Sequence, residues 1–428
     1  MKTITFKGGD MRTRRAFLSA VSVAAVGLTS LTQVAGAQEL RIGVLASLEG
    51  SLTPLGHEAL RGVRLALSEV NETVAGRKVV LFTAPTNATP DSAINGARRL
   101  IEQDKVEIVI GPVSGSEGLA VVQFAKSNPG ITFVNGTAAA PEATYRDPAA
   151  NFFRFNADGV MWQAGLGTYA YNDMKYRRVA SLVNDYSFGW AQMKGFALEF
   201  CRSGGKITDR LWTPIGTTDF SSLIARIPKG VDALYVMLVG ADATNFITQY
   251  VQAGAPVPII AGTNTVDQTV LATLTRRQLR DFITGTPSAS PVVDDWTDQR
   301  YQQFVSAYKK AFPDGLPSPA SAGFGYYVNT KAVLQALNDV KGDLSNNQQK
   351  FRAALSKVVV DGPAGAIRLD ENRQGDATIF LTTVKQGSDG KLYNSFIKAT
   401  RSVTQTMGMD RAAFMKLGVP TRDTIQCP

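Results

Sequence analysis

Residues 41–46 read Arg-Ile-Gly-Val-Leu-Ala and residues 78–83 read Lys-Val-Val-Leu-Phe-Thr, and the segment between these two apolar runs decides the fold. Residues 54–71 repeat apolar side chains at helical spacing. The repeat on one side of that helix consists of Leu60, Val63, Leu67 and Val70. Continuous apolar runs are typical of strands buried on both faces of a parallel sheet, and parallel neighbours need a crossover helix. The stretch therefore predicts a strand–helix–strand unit.

The same alternation continues along the chain and restarts after Arg154. Further strands are predicted at residues 106–110, 131–134, 179–183, 206–212, 233–238, 257–260, 366–369, 378–382 and 393–397. Helices are predicted at residues 91–101, 118–125, 162–174, 190–201, 220–227, 245–253, 298–312, 324–340 and 347–357. Two rounds of alternation predict an α/β fold with two doubly wound lobes that divide near Arg154. The polar C-terminal residues are expected to form a surface tail.

The first 37 residues have the pattern of an export signal. Met11 begins a basic Met-Arg-Thr-Arg-Arg segment, an apolar run covers residues 19–34, and Ala35-Gly36-Ala37 follows. These are the charged, apolar and cleavage regions of a secretory signal, and residues 13–18 resemble a twin-arginine signature. The apolar run is shorter than the roughly 20 residues that span a bilayer. We therefore predict cleavage after Ala37 and a mature protein in the periplasm.

Composition argues against several classes of protein. The net charge is +9, but Lys and Arg are scattered, so no nucleic-acid-binding stripe is predicted. One histidine and two distant cysteines do not supply a metal-ligand cluster, and we predict neither a metal nor a cofactor. An oxidising periplasm permits a disulfide between Cys201 and Cys427, and two separate thiols are the alternative.

A series of short motifs carries a family resemblance. The first loop and helix read Leu-Glu-Gly-Ser-Leu-Thr-Pro-Leu-Gly-His at residues 48–57. Later motifs, in order, are Gly-Pro-Val-Ser at 111–114, Ala-Pro-Glu at 140–142, Phe-Arg at 153–154, Asp-Tyr-Ser-Phe-Gly at 185–189, Gly-Ala-Asp-Ala at 240–243 and Gly-Pro-Ala-Gly at 362–365. The chain is similar in these motifs to the type I periplasmic solute-binding proteins, in the branched-chain amino-acid (Leu/Ile/Val) branch. The resemblance extends over nearly all of residues 39–383.

The resemblance implies two α/β lobes joined by three crossover strands, with a ligand in the cleft between them. The lobes are expected at residues 38–154 with 285–376, and at 155–284 with 377–428. Proteins of this kind close around a solute by hinge motion and deliver it to an ABC-type inner-membrane permease. We expect a monomer that captures a small carboxylate.

Ligands bind beyond the carboxyl ends of the strands in open α/β sheets. The loop at residues 111–118 leads into a helix, whose free N–H groups suit a carboxylate, and its candidate contacts are Ser114, Gly115 and Ser116. The alternative is that one of these serines only caps the helix. Amino-acid binders of the family usually carry Ser at the position of Gly115. The loop at residues 135–140 has small residues that allow close approach to the backbone, which makes Thr137, Ala138 and Ala139 candidates.

The resemblance places the aromatic residue that covers the ligand at Phe188, next to Tyr186, with Leu55 facing the same space. It places the partner of a ligand amino group at or near Asn264, where relatives carry a carboxylate. Asp185 or Asp267 is the alternative partner. Because Asn264 is neutral, a carboxylate without an amine, such as an aromatic or keto acid, is a candidate beside branched-chain and other apolar amino acids. His57 is expected to be solvated.

No motif predicts catalysis, since the chain lacks a G-x-S-x-G elbow, a P-loop and a metal-spaced cluster. We predict a binding protein with no catalytic residues. A soluble ligand-sensing co-receptor is the alternative, because lobes of this fold also occur in receptors.

Overall fold

The computed structural model describes residues 39–146, 148–425 and 427. The predicted export signal and its cleavage site lie outside these residues. The strands are β1 (Leu40–Ser47), β2 (Thr73–Val74), β3 (Arg77–Thr86), β4 (Ile108–Ile110), β5 (Thr132–Val134), β6 (Phe152–Phe153), β7 (Arg178–Asn184), β8 (Lys206–Thr213), β9 (Ala233–Met237), β10 (Ile259–Ala261), β11 (Pro287–Ser290), β12 (Val360–Gly362), β13 (Gly365–Ile367), β14 (Ala377–Gln386) and β15 (Leu392–Val403).

Helices fill most of the connections between these strands. They are α1 (Thr53–Ser68), α2 (Pro90–Glu102), α3 (Gly115–Lys126), α4 (Glu142–Tyr145), α5 (Leu166–Asn172), α6 (Ser187–Arg202), α7 (Ser221–Ala225), α8 (Gly240–Gln252), α9 (Gln268–Leu271), α10 (Arg277–Ile283), α11 (Gln299–Ala311), α12 (Ser321–Asp339), α13 (Ser345–Leu355) and α14 (Arg411–Lys416). Single 3-10 turns lie at Gly50–Leu52, Met161–Gln163 and Thr263–Thr265.

Two separate sheets form the frame of the molecule. The first has the order β2-β3-β1-β4-β5-β6, and all its pairs except β2–β3 are parallel. The second has the order β15-β14-β11-β10-β9-β7-β8, and it is parallel from β11 to β8. The hairpin β14–β15 joins its edge in antiparallel register. The α/β fold class with two doubly wound lobes, predicted from the sequence, is confirmed.

Each sheet carries its own helices. We use "first half" for the first sheet with α1–α4 and α11–α13, and "second half" for the second sheet with α5–α10. The chain passes between the halves three times, after β6, after β11 and before β14. The boundaries expected from the sequence assign Pro287–Ser290 to the first lobe, whereas this strand pairs within the second sheet. Its Pro-Ser-Ala-Ser sequence has no apolar run, and the strand is buried because β10 and β14 cover both its edges.

Two other sequence predictions differ from the structure. The helix expected at residues 162–174 is a 3-10 turn followed by α5, because Gly165 between them has a left-handed φ of 90°. The expected surface tail is partly buried: Phe414 on α14 and Ile425 both pack inside. A disulfide joins Cys201 on α6 to Cys427 and fixes the end of this segment, which resolves the two alternatives that the sequence left open.

Candidate ligand-binding site

A small cavity lies between the two halves, beyond the carboxyl ends of their parallel strands. Its volume is about 20 Å³, which is room for about one water molecule. The first half and its α12 supply Leu52, Leu55, Val113, Ser114, Gly115, Thr137, Ser321 and Ala322, and the second half with the segment leading into it supplies Trp162, Tyr186, Phe188, Val239 and Asn264. Because both halves contribute wall residues, a molecule bound here would contact both of them.

The N-terminus of α3 forms one wall of this cavity. The N–H of Ser114 donates to Oε2 of Glu117 (3.1 Å), and Oε1 of the same carboxyl accepts from the N–H of Ala88 (3.0 Å). Burial raises the pKa of Glu117 above its usual range. The N–H groups of Gly115 and Ser116 belong to the first turn, which no helix carbonyl can satisfy. Together with the helix dipole, these N–H groups favour an anion at this wall.

Three aromatic rings form a second wall. The ring of Phe188 meets Trp162 edge to face at 5.3 Å between centroids and Tyr186 at 6.1 Å. Burial raises the pKa of the Tyr186 phenol far above its ordinary value, so this hydroxyl stays neutral and keeps its proton to donate. This wall is therefore mainly aromatic, with one hydroxyl group.

Several buried polar atoms of the cavity wall have no hydrogen-bond partner in the protein. They are Nε1 of Trp162, Oδ1 of Asn264 and Oγ of Ser321, whose residues are 3%, 4% and 1% exposed. Leaving a buried polar atom unpaired costs about 1–3 kcal/mol. A solute that carries its own donors and acceptors would remove that cost, which is typical of a ligand site.

No residue with an ionisable carboxylate, ammonium or guanidinium group lines this cavity in the described part of the chain. The two aspartates that the sequence offered as partners of a ligand amino group accept hydrogen bonds from other groups of the protein. Oδ1 of Asp185 accepts from Nε1 of Trp190 (2.9 Å), and Asp267 accepts from the N–H groups of Thr269 (3.0 Å) and Ser321 (2.9 Å). A bound ammonium group would therefore face only neutral oxygens.

Comparison with known proteins identifies the family. A sequence profile of the periplasmic binding protein family matches residues 39–391. The chain belongs to this family. A Leu/Ile/Val-binding protein homologue of Brucella melitensis is 27% identical to this periplasmic binding protein over 384 residues, which cover 86% of this chain and 93% of the relative.

Solved structures agree with that assignment. An ABC transporter substrate-binding protein from Sphaerobacter thermophilus superposes with a TM-score of 0.76 at 28% identity, over 85% of this chain and 98% of that one. A solute-binding protein of an ABC transporter from Rhodopseudomonas palustris, in complex with 3,4-dihydroxybenzoic acid, gives a TM-score of 0.78 at 23% identity, over 86% and 98%. The relatives of this binding protein are solute-binding proteins of ABC transporters and are not enzymes.

The structure brings together most of the residues that the sequence proposed for this binding protein's site. Those that line the cavity are Leu55, Ser114, Gly115, Thr137, Tyr186, Phe188 and Asn264. Ser116, Ala138 and Ala139 do not line it. Oγ of Ser116 lies 3.2 Å from Oγ of Ser187 across the gap between the halves, and Ala138 packs over Gly118. His57 is exposed, as expected from the sequence.

Sequence reasoning missed several wall residues of this binding protein, above all Trp162 and Ser321. Ser321 begins α12, far along the chain from the strand-end loops, and Trp162 lies in a turn that follows no predicted strand. A signal for Trp162 was present, because its 3-10 turn directly follows the first crossing between the halves. Within the described residues, no helix is long and apolar enough to span a bilayer, and no group of three or more His, Cys, Asp or Glu forms a metal site.

Proposed function

We propose that this periplasmic binding protein captures a small aromatic or keto carboxylate that has no α-amino group, and delivers it to an ABC-type permease. The observation that carries the proposal is the neutral cavity wall next to the N-terminus of α3. A carboxylate needs donors, which the first turn of α3 supplies. A buried ammonium needs an anionic partner, and no described wall residue supplies one.

The wall residues suggest how such a solute would lie. The N–H group of Gly115 and the hydroxyl of Thr137 would hold the carboxylate, while the hydroxyl of Ser114, the N-cap of α3, donates to the carbonyl of Ala88 (3.4 Å). Leu55, Tyr186 and Phe188 would cover its apolar body. The unpartnered atoms of Trp162, Asn264 and Ser321 would bond to polar substituents on that body, such as a ring hydroxyl. We also propose that the cleft closes by hinge motion between two lobes. The lobes are residues 38–154 with 285–376, and residues 155–284 with 377–428, except that the Pro287–Ser290 strand belongs to the second lobe.

The comparisons support two kinds of solute. The Rhodopseudomonas palustris protein of this fold holds 3,4-dihydroxybenzoic acid, which has a carboxylate and no amine. The Brucella relative is named for leucine, isoleucine and valine, and its similarity covers most of both chains. An apolar amino acid is therefore the second candidate. We also propose that the mature protein begins at Gln38, works in the periplasm and is a monomer.

A matched pair of solutes tests the proposal directly. Phenylpyruvate and phenylalanine differ in the keto or ammonium group beside the carboxylate. We expect phenylpyruvate and 4-hydroxybenzoate to raise the melting temperature, because a ligand at 100 times its Kd adds about 2.7 kcal/mol to the unfolding free energy. Phenylalanine and leucine should not raise it. The proposal is wrong if the two amino acids raise the melting temperature and the two amine-free acids do not.

A single substitution should reverse this preference. Asn264→Asp places a carboxylate in the cavity wall, where it would repel an anionic solute and pair with an ammonium. We expect 4-hydroxybenzoate to bind at least about tenfold more weakly, which is 1.4 kcal/mol, and phenylalanine to gain binding. Asn245→Asp on α8 adds the same charge away from the wall and is the control. Equal effects of the two variants in calorimetry would contradict a role for Asn264.

A further inference from the structure

The C-terminal segment, residues 404–425 with Cys427, begins and ends on the second half. It starts directly after β15, an edge strand of the second sheet. Its far end is held by the disulfide between Cys427 and Cys201 on α6. Nζ of Lys194, also on α6, donates to the carbonyls of Leu417 (3.2 Å) and Thr424 (3.4 Å). The segment is therefore a loop that is fixed to the second half at both ends.

Between these two attachments, residues 405–414 contact the first half at α4. Nε2 of Gln405 donates to the carbonyl of Pro141 (3.1 Å) and to Oγ1 of Thr144 (3.2 Å). The ring of Phe414 meets Tyr145 edge to face at 5.1 Å between centroids, and the Tyr145 hydroxyl donates to the carbonyl of Arg411 (3.4 Å). Phe414 is only 8% exposed, so this contact excludes water.

The same loop also reaches the segment where the chain first crosses between the halves. Nε2 of Gln405 donates to Oδ2 of Asp158 (2.7 Å), which lies in that crossing. Oδ1 of Asp158 accepts from the N–H groups of Val160 (2.9 Å) and Met161 (3.0 Å), at the start of the turn that carries Trp162. Gln405 is 2% exposed and so is locked in this arrangement. One side chain thus contacts α4, the crossing and, through Asp158, the turn that presents Trp162 to the cavity.

We propose that residues 404–425 with Cys427 form a clasp, a loop of the second half that packs on α4 of the first half and stabilises the closed arrangement of the two halves. Opening of the cleft would move α4 away from α6, and it would break the contacts of Gln405 with Pro141 and Thr144 and those of Arg411 and Phe414 with Tyr145. The disulfide keeps the loop in place by restricting its free conformations. The clasp contacts involve no solute, so the proposal does not depend on which solute the cavity binds.

Substitutions on α14 test the clasp without any ligand. Phe414→Ala removes the ring that packs on Tyr145, whereas Lys416→Ala changes an exposed side chain on the same helix. Cys427→Ser releases the far end of the loop while leaving α4 and α6 unchanged. The measurements are the radius of gyration of the ligand-free protein by X-ray scattering and amide hydrogen exchange of residues 142–146.

We expect Phe414→Ala and Cys427→Ser to increase the radius of gyration and to speed exchange at residues 142–146. For Phe414→Ala the factor is about three- to tenfold, the range for loss of one aromatic contact. Lys416→Ala should match the wild type, and reducing the wild-type disulfide with dithiothreitol should reproduce Cys427→Ser. Unchanged scattering and exchange in Phe414→Ala and Cys427→Ser would overturn the proposal. Expansion with loss of cooperative thermal unfolding would also overturn it, since the segment would then be needed for folding rather than for closure. Because no solute is added, failure here leaves the proposed ligand class unaffected.

Discussion

Ser321 and Ser318 lie three residues apart at the start of α12, yet their hydroxyl groups have opposite surroundings. The Ser318 hydroxyl donates to the half-buried carboxylate of Asp294, whereas the Ser321 hydroxyl faces the cavity without a partner. We expect Ser321→Ala to leave the unfolding free energy unchanged or to raise it by up to about 1–3 kcal/mol, because an unsatisfied buried group is removed. Ser318→Ala should lower it by a similar amount. Urea denaturation of both variants checks the pair, and a loss of stability in Ser321→Ala would contradict the assignment.

Glu117 offers a prediction on pH dependence. Its buried carboxyl has a raised pKa, so between the ordinary value for Glu, about 4.3, and the raised value the folded protein binds more protons than the unfolded chain. The contribution of Glu117 to stability therefore grows as the pH falls through this window. Glu117→Gln cannot take up the proton. The quantity to compare is the unfolding free energy of the wild type minus that of Glu117→Gln. We expect this difference to increase by about 1.4 kcal/mol for each unit that the pH falls between the folded and the unfolded pKa of Glu117. A pH-independent difference from denaturation between pH 7 and pH 5 would show that burial does not raise the pKa of this group.

At the residue scale, the sequence identified the wall residues that follow strands directly. Ser114, Gly115 and Thr137 come after β4 and β5, and the carboxyl ends of parallel strands lie at one edge of a sheet. Ser321 and Trp162 reach the cavity only because α12 packs on α1 and because the chain crosses between the halves after β6. Local patterns carry no information about either arrangement.

At the scale of elements, the packing of α1 against α12 depends on Gly62. A Cβ at this position would lie 2.1 Å from the carbonyl oxygen of Gly323 and 3.0 Å from the N–H nitrogen of Tyr327. Helix propensity alone predicts that Gly62→Ala stabilises the protein by about 1 kcal/mol. We expect the opposite sign, a loss of about 1–3 kcal/mol, because the two helices must move apart. Gly130→Ala, where only one side-chain atom approaches within 4 Å, is the control, and a more stable Gly62→Ala in thermal unfolding would disprove the close approach.

Strands and helices were predicted correctly where the apolar pattern of the sequence matches the burial of the element in the structure. The buried strands β1, β7 and β9 are continuous apolar runs, and their helices show clear periodicity. Prediction failed for β11, whose small residues become a strand only because β10 and β14 flank them. It also failed for the C-terminal segment, where the Cys201–Cys427 disulfide and a contact with α4 bury residues that read as a polar tail.

At the scale of the whole molecule, the question is whether the hydroxyl group of Ser116 contacts the solute or the hydroxyl group of Ser187 on the other half. They lie 3.2 Å apart, one at the start of α3 and the other at the start of α6. A hydrogen bond that exists only when the halves are closed strengthens solute binding by its own free energy, about 0.5–1.5 kcal/mol. We therefore expect Ser116→Ala and Ser187→Ala each to weaken binding of the best solute by about two- to tenfold.

A double-mutant cycle, measured by calorimetry, decides between the two roles of Ser116. If the hydroxyls bind each other, the double variant should bind no more weakly than either single variant, because the second substitution removes nothing further. If Ser116 instead contacts the carboxylate of the solute, only Ser116→Ala weakens binding, or the two losses add. Ser356→Ala, an exposed helix-end serine whose hydroxyl donates within its own helix (2.9 Å), should have no effect and controls for the loss of a hydroxyl. Scattering of the Ser116→Ala variant with saturating solute should then show the same compact state as the wild type, reached at a higher solute concentration, because the substitution changes the closing equilibrium and not the closed structure.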